Sequence, residues 1–363
     1  MTVRDIFLRH GPGYLKTFGD RMPAHHKKVI NAIIRCRTAE LGTIICACED
    51  CANTYRIFRS CGNRHCPTCQ GEKAIEWFNR RCEQLLPVPH FMITCTVPAA
   101  FRAFFRSHQR FAYSALFQAT SKTIAALASE PTWFPGDTPG FFGVLHTWGR
   151  QLSYHPHIHY LVPGGAFCAS DHSWHSSHHA FFLPVRVLST KIKSRFFSLM
   201  RNAGLLHLLP SEVWNTGWNV NSQPVGTGAR ALRYLSSYVF RTAISNHRII
   251  SVDDEHVLFR YTDTKTGERK TMRLTPFEFI RRFLQHVLPK GFMKIRYYGF
   301  LHPSTSMPVK LAAALLEAML AVPPERPKPI ETTGIPPCER CHGTVQFVRF
   351  IPPDDPVPVS GFT

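Results

Sequence analysis

The sequence predicts an α+β fold with a separate cysteine-rich segment near its start. Three observations carry that expectation. Phe91, Ile93, Cys95 and Val97 alternate with other residues, the two-residue period of a half-buried strand. Longer stretches such as Ala99–Ala128 carry helical patterning between strand-like runs. Eight of the twelve cysteines lie between Cys36 and Cys82.

In chain order, residues 1–35 read as helical and basic. Cys46–Gly71 is short, polar and cysteine-rich, and Glu72–Leu86 reads as a helix. His90–Val97 is a strand, followed by the long helical stretch Ala99–Ala128. Gly140–Trp148 and Ile158–Val162 are strands joined by the polar segment Gly149–His155. Leu188–Leu206 is helical, Val213–Gln223 holds a strand, and Gly228–Ala243 is helical. Arg248–Val252 and His256–Thr262 form a hairpin around Asp253–Asp254. Pro276–Val287 is a helix with proline in its first turn. Pro323–Pro337 reads as a linker or tail.

Composition narrows the partners. Forty-three Lys and Arg against 24 Asp and Glu give a formal net charge of +19. A 44% hydrophobic fraction supports a packed core and excludes a disordered polycation. No apolar run reaches the length of about 18 residues that a membrane span needs, and the start lacks a signal-peptide core. The expected compartment is the cytoplasm, in association with the nucleoid. Cysteines there serve as metal ligands or spare thiols more often than as disulfides. A chain this basic is expected to meet nucleic acid.

Cys48-x2-Cys51 and Cys66-x2-Cys69 are spaced as two knuckles of a zinc ribbon, with four thiolates on one tetrahedral Zn²⁺. Such a site is closed and structural. Cys61 and His65 beside the second knuckle are alternative ligands. Cys36, Cys46 and Cys82 read as non-ligating thiols, and Cys95 and Cys168 as core residues. Arg56, Arg59, Arg64 and Lys73 around the knuckles favour a nucleic-acid surface. Cys338-x2-Cys341 offers only half a site, which would need ligands from elsewhere.

His155, His157 and His159 stand at every second position, and on a strand such residues share a face. Neutral imidazoles at this spacing can grip one divalent ion. A chain with 20 histidines shows about one H-x-H by chance, so the context must carry the reading. The strand ending at His146 supplies that context. If it forms a hairpin with the histidine strand, His146 lies opposite and becomes the third ligand, with Asn246 and Gln151 as further choices. Tyr234 and Tyr238 are four apart, on one helix face, flanked by Arg233 and Arg241. An aromatic pair at that spacing is most often core, but the intervening serines and flanking arginines make a polar neighbourhood.

His157-Ile-His159 followed by Tyr234-x3-Tyr238 resembles the HUH endonucleases, named for histidine–hydrophobic–histidine. The stretch Arg59–Gly71, with Cys61, Cys66 and Cys69, resembles the zinc domain of the rolling-circle insertion-sequence transposases called the insertion sequence ninety-one family. Val144–Trp148, His155–His159, Tyr234–His247 and Phe279–Phe300 extend the likeness, in order, over about residues 20–300. The histidine-rich insert Asp171–His179 departs from it and reads as a solvated loop tip.

The resemblance implies an HUH-type antiparallel sheet flanked by helices, with an N-terminal zinc ribbon. It divides the chain into 1–88 (helices and ribbon, binding DNA), 89–270 (two-tyrosine nuclease), 271–325 (basic helical extension) and 326–363 (Pro-rich tail). It implies Tyr234 and Tyr238 as nucleophiles, with Mg²⁺ or Mn²⁺ on His157, His159 and His146. The reaction it implies nicks and rejoins single-stranded DNA through 5′-phosphotyrosine links, with transposon ends and target DNA as substrates. Arg64, Arg233 and Arg241 are the expected DNA contacts. Trp148, Tyr154, Tyr297 and Tyr298 are candidate base-stacking platforms. No Walker-type motif is present, so no nucleotide cofactor is expected, and strand separation falls to a host helicase or the replication machinery. A replication initiator or relaxase of the same class is the alternative. A non-catalytic zinc-ribbon DNA-binding protein is the alternative of another class.

Overall fold

The computed structural model describes residues 1–133, 138–168, 173–240, 243–263, 266–305, 313–314, 316–317, 328–331 and 335–353; the side chains of Ser237 and Tyr238 fall outside that description. In chain order the elements are α1 (Val3–Phe18), α2 (Ala24–Arg35), β1 (Thr43–Cys48), β2 (Thr54–Phe58), α3 (Gly71–Cys82), β3 (His90–Thr96), α4 (Arg102–Ser107) and α5 (Gln109–Ala128). There follow β4 (Gly140–Trp148), β5 (Tyr154–Pro163), β6 (Gly165–Cys168), β7 (Ser173–Ser176), α6 (Val185–Asn202), β8 (Asn219–Pro224) and α7 (Ala229–Val239). The last are β9 (Ile249–Val252), β10 (Val257–Thr262), β11 (Arg269–Leu274), α8 (Pro276–Leu284), β12 (Ile295–Gly299) and β13 (Val345–Ile351). The fold is α+β, and the strand pairings are antiparallel. No described helix is long and apolar enough to cross a membrane.

Two compact units result, and neither is continuous along the chain. One comprises 1–75, 240–287 and 331–363, the other 76–239 and 288–330. This differs from the four consecutive pieces that the sequence suggested, because strand pairing joins segments far apart in the chain.

The first unit opens on α1, whose start is fixed by a capping box. The Thr2 hydroxyl accepts from Asp5 N–H, and the Asp5 carboxylate accepts from Thr2 N–H at 2.8 Å. Apolar residues of α1 pack on α8, where Phe7 meets Phe283 and Tyr14 meets Phe277 edge-on at 5.1 and 5.5 Å. The predicted 248–262 hairpin is present as β9–β10, and β11 adds a third strand. The other sheet of this unit runs β13-β1-β2. The C-terminal tail is thus not a plain linker. Its residues Val345–Ile351 pair with Cys48–Thr43, because alternating Val345, Phe347 and other β-prone residues offer β1 a second edge.

The second unit is built on a five-stranded sheet ordered β12-β4-β5-β3-β8. Alternation sorts its faces. Phe91, Ile93 and Cys95 of β3, Phe141 and Leu145 of β4, and Ile158, Tyr160 and Val162 of β5 enter one apolar core with α4, α5 and α6. The intervening residues form the opposite face, which carries the histidines. The predicted 99–128 helix is two helices, since the backbone at His108 (φ −120°, ψ 42°) leaves the helical region. The histidine-rich insert is partly a strand: Ser173–Ser176 pairs with β6, while residues 171–172 lie outside the described residues. Tyr154 and Tyr298 serve packing rather than an open stacking surface, with Tyr154 bonded to the Tyr113 hydroxyl at 2.6 Å and Tyr298 stacked on Phe141 at 5.0 Å.

Candidate functional site

On β4 and β5 the register pairs His146 with His157 and Val144 with His159. The three imidazoles therefore gather on one face, and a ligand nitrogen from each lies within 4.8 Å of the others. Ring centroids are 5.2 Å apart for His146–His157, 4.6 Å for His146–His159 and 4.8 Å for His157–His159. Asn246 is not in this group: its side-chain oxygen accepts from Val3 N–H at 3.0 Å.

The surroundings orient the rings. His157 Nδ1–H donates to the His155 carbonyl at 2.7 Å, which leaves the Nε2 lone pair for a metal. His159 Nδ1 lies 2.8 Å from the hydroxyl of Thr94, its register partner on β3. The buried His159 Nε2 has no hydrogen-bond partner among the described residues. Burial, with lesser help from neighbouring imidazoles, pushes His157 down to about 4 and His159 to about 3. The same causes hold His146 well below the ordinary histidine value. At neutral pH all three rings are uncharged lone-pair donors, a set that fits a divalent metal ion.

Helix α7 stands beside the two histidine strands. The Tyr234 ring is 41% exposed, and its centroid lies 5.8 Å from that of His159, nearly perpendicular at 88°. The tyrosine is thus not a core residue: Leu232, Leu235 and Val239 bury the helix, and Tyr234 falls off that stripe. Tyr238 follows one turn later, with its side chain outside the described residues. Arg233 is exposed, its guanidinium 5.7 Å over the Phe78 ring. Arg241 lies outside the described residues.

The cysteines group differently from the predicted single set. Cys66 and Cys69 join Cys36 and Cys61, whereas Cys48 and Cys51 join Cys338 and Cys341. Within each group the sulfurs lie within 4.8 Å of one another, among them pairs at 3.6 Å (Cys61–Cys69), 3.4 Å (Cys48–Cys341) and 3.6 Å (Cys51–Cys338). A disulfide needs about 2.05 Å. Tetrahedral zinc with Zn–S bonds of about 2.3 Å has sulfur edges of about 3.8 Å, which these spacings approach. The physical reason for the regrouping is the β1–β2 turn, which carries Cys48 and Cys51 toward β13 rather than toward Cys66. Cys61, an alternative ligand in the sequence, is a member. His65 is buried and outside both groups. Hydrogen bonds from the Cys61 and Cys66 thiols push the Cys69 thiol down from its ordinary value. Arg64 sits half-buried in the same loop, its guanidinium lowered by burial.

Sequence reasoning missed Cys36, the partners of Cys338 and Cys341, and Thr94. Cys36 carries no spacing signal, standing 25 residues before Cys61. Thr94 has the right alternation for the histidine face, but only the β3–β5 register brings it to His159.

Comparison with known proteins fits this picture. Residues 140–307, which hold His146, His157, His159 and Tyr234, match a family model described as "Putative transposase". Residues 6–97 match a model described as a transposase zinc-binding domain of the IS91 type. The "Putative transposase y4qJ" of Sinorhizobium fredii (strain NBRC 101917 / NGR234) is 39% identical over 321 residues, covering 82% of this chain and 80% of that protein. The "Transposase for insertion sequence element IS801" of Pseudomonas savastanoi pv. phaseolicola is 26% identical over 290 residues, covering 76% of this chain and 70% of that protein. No solved structure matches the chain. With its zinc-binding start, its central transposase region and a relative of this identity along most of its length, the chain belongs to the insertion sequence ninety-one (IS91) family of transposases.

Proposed function

We propose that this transposase nicks and rejoins single-stranded DNA at element ends through 5′-phosphotyrosine intermediates, in a rolling-circle type of transposition. The observation that carries the proposal is the exposed Tyr234 ring 5.8 Å from His159 in the three-histidine group. Tyr234 Oη attacks the scissile phosphorus. The phosphorus–tyrosine bond forms as the bond to the 3′ oxygen breaks. The phenol loses its proton and the leaving 3′ oxygen gains one. Attack by a 3′-OH on the phosphotyrosine reverses the exchange and joins strands. Ester bonds are conserved throughout, so no nucleotide cofactor is required. Tyr238, one turn along α7, supplies a second nucleophile for a linked transfer.

A phenol with an ordinary pKa of about 10 is a poor nucleophile without help. A divalent ion held by His146, His157 and His159 would polarise the phosphate and orient it. All-nitrogen donors suit Mn²⁺ better than the harder Mg²⁺. His155 bonds to Arg102 at 2.8 Å and braces the strand start beside them. Arg233 and Arg241 on or after the tyrosine helix, and Arg64 in the cysteine loop, contact phosphates, with the +19 charge supplying long-range attraction. Structural zinc at Cys36, Cys61, Cys66 and Cys69 holds the DNA-binding domain. Host enzymes separate the strands.

The test is a covalent adduct. Protein incubated with end-derived single-stranded DNA and Mn²⁺ should give an adduct that survives SDS. His157→Ala and His159→Ala should abolish it. Full cleavage by either histidine variant would refute the metal assignment.

A further inference from the structure

We propose that Cys48, Cys51, Cys338 and Cys341 hold a second structural Zn²⁺, which clamps the last strand of the chain onto the first. The matched zinc-binding domain ends at residue 97, so half of this site lies outside it.

The two cysteine pairs are built alike. Ala52 N–H donates to the Cys48 carbonyl at 3.0 Å, and His342 N–H to the Cys338 carbonyl at 2.8 Å. Cys48 N–H donates to the Asn53 carbonyl and Cys338 N–H to the Gly343 carbonyl, both at 2.9 Å. Ala52 and His342, each directly after the second cysteine of its pair, take left-handed backbone at φ 57° and 58°. Non-glycine residues adopt that region rarely, so a matched pair of them marks a shared constraint. Each turn is a knuckle that brings its two sulfurs to one side. Knuckle then meets knuckle: Glu49 N–H donates to the Thr344 carbonyl at 2.9 Å. The approach is close enough that a Cβ at Gly343 would require the Asp50 carboxylate to move.

The donor chemistry agrees. Four sulfurs within 4.8 Å, from two knuckles, form the four-thiolate set that zinc takes in closed sites. Two sulfur pairs bridge the knuckles, Cys48–Cys341 at 3.4 Å and Cys51–Cys338 at 3.6 Å. The Tyr55 hydroxyl donates to Cys338 Sγ at 2.9 Å, an outer contact suited to a coordinated thiolate. Cys51 and Cys338 are 287 positions apart, so one ion here ties the chain's two ends into a single domain. The clamp does not depend on the histidine chemistry proposed above.

Metal analysis of the full chain tests it. Wild type should carry two zinc ions per chain, Cys338→Ser/Cys341→Ser one, and Cys36→Ser/Cys66→Ser one. Two ions retained in Cys338→Ser/Cys341→Ser, or a single ion in wild type that this variant keeps, would overturn the proposal. If the variant fails to fold, N-ethylmaleimide footprinting of wild type decides. Cys48, Cys51, Cys338 and the exposed Cys341 should be protected together and become reactive together once zinc is stripped. Immediate modification of Cys341 in the zinc-loaded protein would also overturn it.

Discussion

Replacing Thr94 with valine removes one hydroxyl next to His159 at almost constant volume. The hydroxyl lies 2.8 Å from His159 Nδ1, and His159 is only 6% exposed, so water does not readily replace it. With Nε2 given to a metal, Nδ1 carries the ring proton, and leaving that buried N–H without an acceptor costs about 1–3 kcal/mol. The ring escapes that cost by moving its proton to Nε2, which removes the lone pair facing the other histidines. Either outcome weakens metal binding. Outer-shell partners of metal-bound histidines typically contribute 10- to 100-fold in affinity, about 1.4–2.7 kcal/mol. Thr94→Val should therefore raise the Kd for Mn²⁺ by about that factor, read from the electron paramagnetic resonance of free Mn²⁺. Thr94→Ser keeps the hydroxyl and should bind within a few-fold of wild type. A Kd unchanged within twofold in Thr94→Val, with a normal melting temperature, would refute the reasoning.

Other predictions concern the backbone, an ion pair and the choice of metal. Gly299 has φ 57°, and a Cβ there would collide with the Pro139 carbonyl oxygen, a backbone atom that cannot swing aside. Gly299→Ala should cost about 3 kcal/mol or more, from left-handed strain plus overpacking, and an unchanged urea midpoint would contradict this. Arg281, then Arg282, hold the Glu278 carboxylate down to about 2 from an ordinary 4.5. Because the folded value is the lower one, the stabilisation is full above about pH 4.5 and is lost as pH falls through about 2. The pair is partly exposed, so Glu278→Gln should destabilise by only about 0.5–1 kcal/mol at pH 7. That difference should fade in acid, and urea melts showing the same deficit at pH 3 and pH 7 would contradict it. If nitrogen donors set the metal preference, adduct formation should reach half its maximum at lower Mn²⁺ than Mg²⁺; the reverse order in a titration would speak against a three-histidine site.

The histidine site was more legible in the sequence than the cysteine sites, for a physical reason. His146, His157 and His159 lie on adjacent strands joined by a short turn, so one hairpin assumption brings them together. The cysteine sites depend on pairings between distant segments. Cys48 and Cys51 have the spacing of a knuckle, but which second knuckle they meet is decided by β13 pairing with β1, across nearly the whole chain. Alternating apolar residues located β3, β4 and β5, whereas β13 lay hidden behind the proline-rich stretch before it. The His108 break in 99–128 was equally silent, because the residues on both sides favour helix. The two tyrosines could be placed on one helix face, yet the exposure of Tyr234 depends on which stripe of α7 packs against β4 and β5.

On this account α7 supplies the nucleophile. The most direct test is mass spectrometry of the nucleotide-bearing peptide from the SDS-resistant adduct formed with single-stranded end DNA and Mn²⁺. The modified residue should be Tyr234 or Tyr238, and Tyr234→Phe/Tyr238→Phe should form no adduct. An adduct mapped to any other residue, or one that persists in the double variant, would contradict the account.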